Sequence, residues 1–87
     1  MLLQQNKRVR ARVVDGETVI LDPGSGYVHR LNATASRIWA SFDGQTSLEQ
    51  VVTDFAAEVD TDPDLARLDA KKTIDKLIQL ELLTRHD

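Results

Sequence analysis

Cysteine is absent from the chain. That removes disulfides, thiolate zinc sites, iron–sulfur clusters and a cysteine nucleophile together, and it fits a reducing, cytoplasmic setting. Long apolar runs are absent as well: the segment from Met1 to Asn6 turns charged at Lys7, short of signal-peptide length, and no later stretch would span a bilayer. The expectation is a soluble chain with no membrane partner. Histidine is scarce, and His29 and His86 lie too far apart in sequence to suggest a metal or acid–base pair. No glycine-rich phosphate loop is present, because Gly24-Ser25-Gly26 is short and precedes a strand pattern rather than a helix. The serines at 25, 36, 41 and 47 lack a Gly-x-Ser-x-Gly setting. Asp60, Asp62 and Asp64 echo the first ligand positions of a calcium loop, but Leu65 stands where its turn needs glycine and Lys71 where a bidentate glutamate is needed. The sequence therefore predicts no catalysis, no metal and no cofactor.

What remains is a small acidic chain of 87 residues with a formal charge of −3, read as one domain (1–87) with a thin core. The negative balance argues against a broad nucleic-acid footprint, although Lys7, Arg8, Arg10 and Arg12 form a local basic stretch. These alternate with Val9, Ala11 and Val13, the pattern of a strand with one solvated face. The first third reads as a three-stranded antiparallel meander. Asp15-Gly16 supplies a hairpin turn able to adopt positive φ, residues 18–21 return, and the segment from Asp22 to Gly26 holds Pro and Gly where a second turn wants them. Tyr27 to Leu31 makes the third strand, whose His29 and Arg30 blunt an exposed edge. If Tyr27, His29 and Leu31 share the core face, then Val28 and Arg30 face out; a shift of one residue reverses this.

The remainder is helical. Asn32 caps a helix with Ala35, Ile38, Trp39 and Phe42 on one face, ended by Asp43-Gly44. Ser47 and Gln50 form a capping box for a second helix with Leu48, Val51, Val52, Phe55, Ala56 and Val59 along one stripe. Asp62-Pro63 opens a third helix that should run to about Leu83. Its Ala70, Ile74, Leu77 and Ile78 suit the core, while Thr73, Leu80 and Leu82 widen the apolar arc. Either neighbouring elements cover the extra surface or it lines a groove, and the two are compatible. A strand edge fused to a capped helix, with no chemistry at the junction, reads more easily as a peptide-holding module than as a catalyst.

The residues from Leu31 to Trp39, then Phe42-Asp43-Gly44, then Ser47 to Val52, then Ile74, Leu77, Leu80, Leu82 and Leu83, resemble the PqqD-like family over about residues 8–84. Members serve as recognition elements for the precursors of ribosomally synthesised, post-translationally modified peptides (RiPPs). The resemblance implies an α+β winged helix-turn-helix, a three-stranded antiparallel sheet followed by three helices, and a non-enzymatic, leader-binding role. In this family the leader segment of a precursor peptide adds as a strand to the third strand, in the groove beside the third helix. Carried across by position, the peptide-binding residues are Tyr27, Val28, His29, Arg30 and Leu31 on the strand and Asp69, Lys72, Thr73, Lys76 and Leu77 on the helix. Asp69 matches an acidic position typical of the family, and Ala70 stands where Val is frequent, leaving more space. Arg30, Lys72 and Lys76 either pair with acidic leader residues or are ordinary solvated surface.

A copy of this size resembles the leader-binding proteins of lasso-peptide clusters, which deliver the precursor to a leader peptidase and a macrolactam-forming synthetase. It also resembles the peptide chaperone of pyrroloquinoline quinone biosynthesis, which works with a radical enzyme. We favour the first. Two other classes compete. A winged-helix DNA binder shares the fold, but Glu49, Gln50, Thr53, Asp54 and Glu58 on the second helix would repel phosphate. A structural piece that pairs with a second copy through its open strand edge is the other, and the expected state is a monomer or weak dimer.

Overall fold

The computed structural model describes residues 2–85; His86 lies outside them. The predicted meander is present as β2 (Arg10–Val14), β3 (Glu17–Leu21) and β4 (Val28–Leu31), in the order β2-β3-β4. Asp15 and Gly16 both take positive φ, 53° and 79°, the requirement of a two-residue hairpin whose twist matches its strands. Thr18 pairs with Leu31 and Ile20 with His29. Thr18, Ile20 and Leu31 are buried and His29 half-buried, whereas Val28 and Arg30 are exposed. The strand therefore takes the register in which His29 and Leu31 face inward. Tyr27 precedes the strand and is exposed.

The three helices are α1 (Ala33–Ala40), α2 (Leu48–Glu58) and α3 (Pro63–Gln79). Each begins where its cap predicts. Asn32 Oδ1 accepts from the Ala35 N–H at 2.8 Å, Ser47 Oγ from the Gln50 N–H at 3.0 Å, and Asp62 Oδ1 from the Asp64 N–H at 2.8 Å. Only half of the predicted capping box forms, because the Gln50 side chain donates to Asp54 Oδ1 instead of reaching back to Ser47.

The helix ends differ from the sequence reading. α3 stops at Gln79, not near Leu83, in a Schellman arrangement: the Glu81 N–H donates to the Ile78 carbonyl and the Leu82 N–H to the Leu77 carbonyl, both at 2.9 Å. Glu81 takes φ 61° there, a position usually given to glycine. α1 stops at Ala40 with Ser41 as its C-cap, so Phe42 lies beyond the helix and Asp43 and Gly44 do not end it; they open a strand, β5 (Asp43–Ser47). With β1 (Leu2–Gln5) and β6 (Leu83–Arg85) it forms a second antiparallel sheet, ordered β5-β1-β6, that the sequence did not announce.

This second sheet ties the two ends of the described chain to its middle. The Leu82 carbonyl accepts both the Trp39 indole N–H at 2.9 Å and the Asn6 N–H at 3.1 Å, and Gln5 Nε2 donates to the Trp39 carbonyl at 3.2 Å. One core runs between the sheets and helices, with Ile20, Ile38, Phe42, Ile74, Leu77, Leu82 and Leu83 almost wholly buried. Ala66 and Ala70 are buried on α3, where small side chains let α2 approach closely. Ile78, expected in the core, is partly exposed. Leu82, expected to widen the helix surface, is buried because the chain has left the helix before reaching it.

Candidate functional site

β4 has a paired side and an open side. Ordering β2-β3-β4 leaves it at the sheet edge. The Asp22 N–H donates to the Tyr27 carbonyl at 3.0 Å, which sets the phase of the ladder. Antiparallel alternation then directs the main-chain groups of His29 and Leu31 toward β3, and those of Val28 and Arg30 toward the open edge. The last rung is bridged: the Thr18 N–H donates to Ser36 Oγ at 2.8 Å, and that hydroxyl donates to the Leu31 carbonyl at 3.1 Å. Buried Ser36 thus fixes α1 against the end of β4.

The open edge faces a groove of about 550 Å³ lined by Val28, His29, Arg30 and Leu31 of β4, Asn32, Thr34 and Ala35 at the start of α1, and Thr73, Lys76, Leu77 and Leu80 of α3 and its cap. Leu31 and Leu77 are buried beneath it, and Ala35, Thr73 and Leu80 are half-buried. Its charge is one-signed: Arg30 and Lys76 line it and no carboxylate does. Arg30 is partly neutralised by Glu17 Oε1, 2.8 Å from its Nε, on the neighbouring strand. The Tyr27 ring meets His29 edge-on, centroids 6.4 Å apart, beside the groove rather than in it.

Of the residues carried across from the family pattern, Val28, His29, Arg30, Leu31, Thr73, Lys76 and Leu77 come together around this groove. Tyr27, Asp69 and Lys72 are exposed and do not line it. Ala70 lies in the core, so its small side chain brings α3 close to its neighbours instead of deepening the groove. Asn32, Thr34 and Ala35 were missed as lining residues, and Leu80, read from the sequence as widening the apolar arc of the third helix, lines the groove as well. The signal for the first three was present: a helix capped by the residue next to the end of β4 must lay its first turn beside that strand. Among the described residues there is no cluster of three or more His, Asp or Glu able to hold a metal, and no helix long and apolar enough to cross a membrane.

An open-edged sheet leading into three helices, with the edge and the last helix walling a groove, defines an α+β protein of the winged helix-turn-helix class. The chain belongs to the PqqD family, described as coenzyme PQQ synthesis protein D, whose pattern matches residues 17–83. Among solved structures it is similar to TbiB1 in complex with the TbiA(beta) leader peptide, at 28% identity, with 92% of this chain and 93% of that chain covered and a TM-score of 0.79. It shares its fold with a lasso peptide synthetase B1 complexed with the leader peptide, at 20% identity, 97% and 99% coverage and a TM-score of 0.81. The heterocyclase TruD contains the same fold, at 16% identity and a TM-score of 0.69, where 95% of this chain matches 11% of that one. No match was found among curated protein sequences.

Proposed function

We propose that the chain binds the leader segment of a ribosomally synthesised precursor peptide as an added strand on β4, without catalysis of its own. It then presents the peptide to a leader peptidase and a macrolactam synthetase of lasso-peptide biosynthesis. The observation that carries this reading is the unpaired edge of β4 opening into a groove with an apolar floor, in a fold similar to that of TbiB1 in complex with a leader peptide. Main-chain groups of Val28 and Arg30 supply affinity for any extended peptide, and the floor at Leu31, Ala35, Leu77 and Leu80 selects for apolar side chains at alternate positions. The cationic rim at Lys76 and Arg30 favours a leader with a carboxylate nearby. The description of the matched family supports a second reading, a peptide chaperone of pyrroloquinoline quinone biosynthesis that serves a radical enzyme. The two differ in the leader that binds.

Fluorescence anisotropy of labelled leaders from precursor genes adjacent to this one, with a random duplex as control, separates these readings. Saturable binding of one leader, lost when a proline enters its pairing segment, is the expected result and identifies the pathway. Binding of the duplex and of no leader overturns the proposal.

A further inference from the structure

The outer face of β2 and β3 takes no part in leader binding as proposed, although Val28 and Arg30 of β4 border both it and the groove. Pairing fixes its composition. Leu21 lies between Arg10 and Val28, Val19 between Arg12 and Arg30, and Val14 opposite Glu17. Directly opposed residues of an antiparallel pair point to the same side, and Thr18 and Ile20 occupy the buried side, so these rows form the outer one. Arg10, Ala11, Arg12, Val14, Val19 and Leu21 border a shallow concavity of about 490 Å³. All of β2 is exposed, and even Val13 on the inner side is 70% exposed, so the hairpin overhangs the core. Charge is segregated along the chain. Four of the 11 basic residues fall within positions 7–14 with no acid among them, which leaves seven bases against 14 acids elsewhere. Among the described residues Arg10 and Arg12 make no ion pair, whereas Arg30 has Glu17.

We propose that the outer face of β2 and β3 is a docking surface for an acidic segment of a partner protein, with carboxylates set against Arg10 and Arg12 and aliphatic side chains against Val14, Val19 and Leu21. Charge complementarity selects the occupant. A second copy would bring these arginines against their own counterparts, and like charges directly opposed are destabilising. A nucleic acid would use the arginines but not the aliphatic side chains interleaved with them, and the acidic remainder of the chain repels its phosphates. A segment that alternates carboxylates with apolar side chains matches both components of the face. None of the side chains used here lines the groove, so leader and partner can be held together, and this docking stands or falls independently of leader binding.

The test is an amide-shift titration of the full chain with a synthetic peptide of alternating glutamate and leucine, its lysine–leucine counterpart, and a random DNA duplex. With the acidic peptide, shifts should centre on Arg10, Arg12, Val14, Val19 and Leu21. Its affinity should fall by about tenfold in the Arg10→Glu/Arg12→Glu variant and with rising salt. Val14→Ser, which keeps every charge, should also weaken it. Because β2 is exposed throughout, these variants should keep their circular dichroism. The proposal is overturned by shifts confined to β4 and α3, by no shifts, by equal binding of the lysine peptide, or by tighter binding of the duplex at the same residues.

Discussion

Ser36 is buried on α1, yet its hydroxyl is the link between two strands: it accepts from the Thr18 N–H and donates to the Leu31 carbonyl. Truncation to alanine strands one donor and one acceptor where water has little access, so Ser36→Ala should lower unfolding free energy by about 1–3 kcal/mol in urea titration. Asp43 is a second residue with a readable consequence. Its Oδ1 accepts the N–H groups of Gln45 and Thr46 at 2.8 and 2.9 Å, and these bonds hold its carboxyl below the ordinary 3.8. A pKa lowered by folding contributes stability that is present above 3.8 and is lost as pH falls through the lowered value. Urea midpoints compared above and below that range should show a smaller acid-induced loss for Asp43→Asn than for the parent. At this scale the sequence was most legible where the chemistry is local. Asn32, Ser47 and Asp62 announce helix starts because a cap needs only its own side chain and the next turn. The end of α3 was illegible, since Glu81 occupies the left-handed position that glycine would have marked.

β4 carries the functional argument, and its two sides are chemically unequal. The N–H of Val28 points to the open edge and that of His29 to β3, by the phase that the Asp22–Tyr27 bond sets. Proline at each position separates binding from stability. Val28→Pro sits at the first residue of an edge strand, where it should change stability by less than about 1 kcal/mol, yet removing one main-chain donor should weaken leader binding by about tenfold. His29→Pro instead breaks the ladder to β3 and should cost about 1–3 kcal/mol. Thermal unfolding and leader anisotropy on the two variants check both halves. The meander was legible because Asp15-Gly16 and the turn from Asp22 to Gly26 punctuate it, and because alternation in β3 matches its buried side. β1, β5 and β6 were not: each is short, β5 has no apolar side chain and β1 is half polar, and each forms only by pairing with residues far away in sequence. Gly44, at φ 84°, reads equally well as a helix terminator, and only the pairing partner for β5 tells the two apart.

For the molecule as a whole, the second sheet explains how so small a core holds the groove in shape. β1 pairs with β5 on one side and β6 on the other, and the Leu82 carbonyl joins the end of α3 to Trp39 of α1 and to Asn6 after β1. Both walls of the groove, β4 with α1 and the C-terminal half of α3, are thereby anchored to one frame, which spares a bound peptide the cost of ordering them. The strand wall and the later part of the helix wall were legible in the sequence, since Val28 to Leu31 and Thr73, Lys76 and Leu77 do line the groove. Asp69 and Lys72 were not separable from them by sequence, because helix periodicity gives the facing side of a helix but not where along its length the partner strand ends. Addition of the leader as a strand to β4 can be read residue by residue from amide hydrogen exchange in the protein with and without saturating leader. The amides of Val28 and Arg30 should gain protection while that of His29, already committed to β3, changes little; unchanged exchange at Val28 and Arg30 with the leader bound would rule out strand addition at this edge.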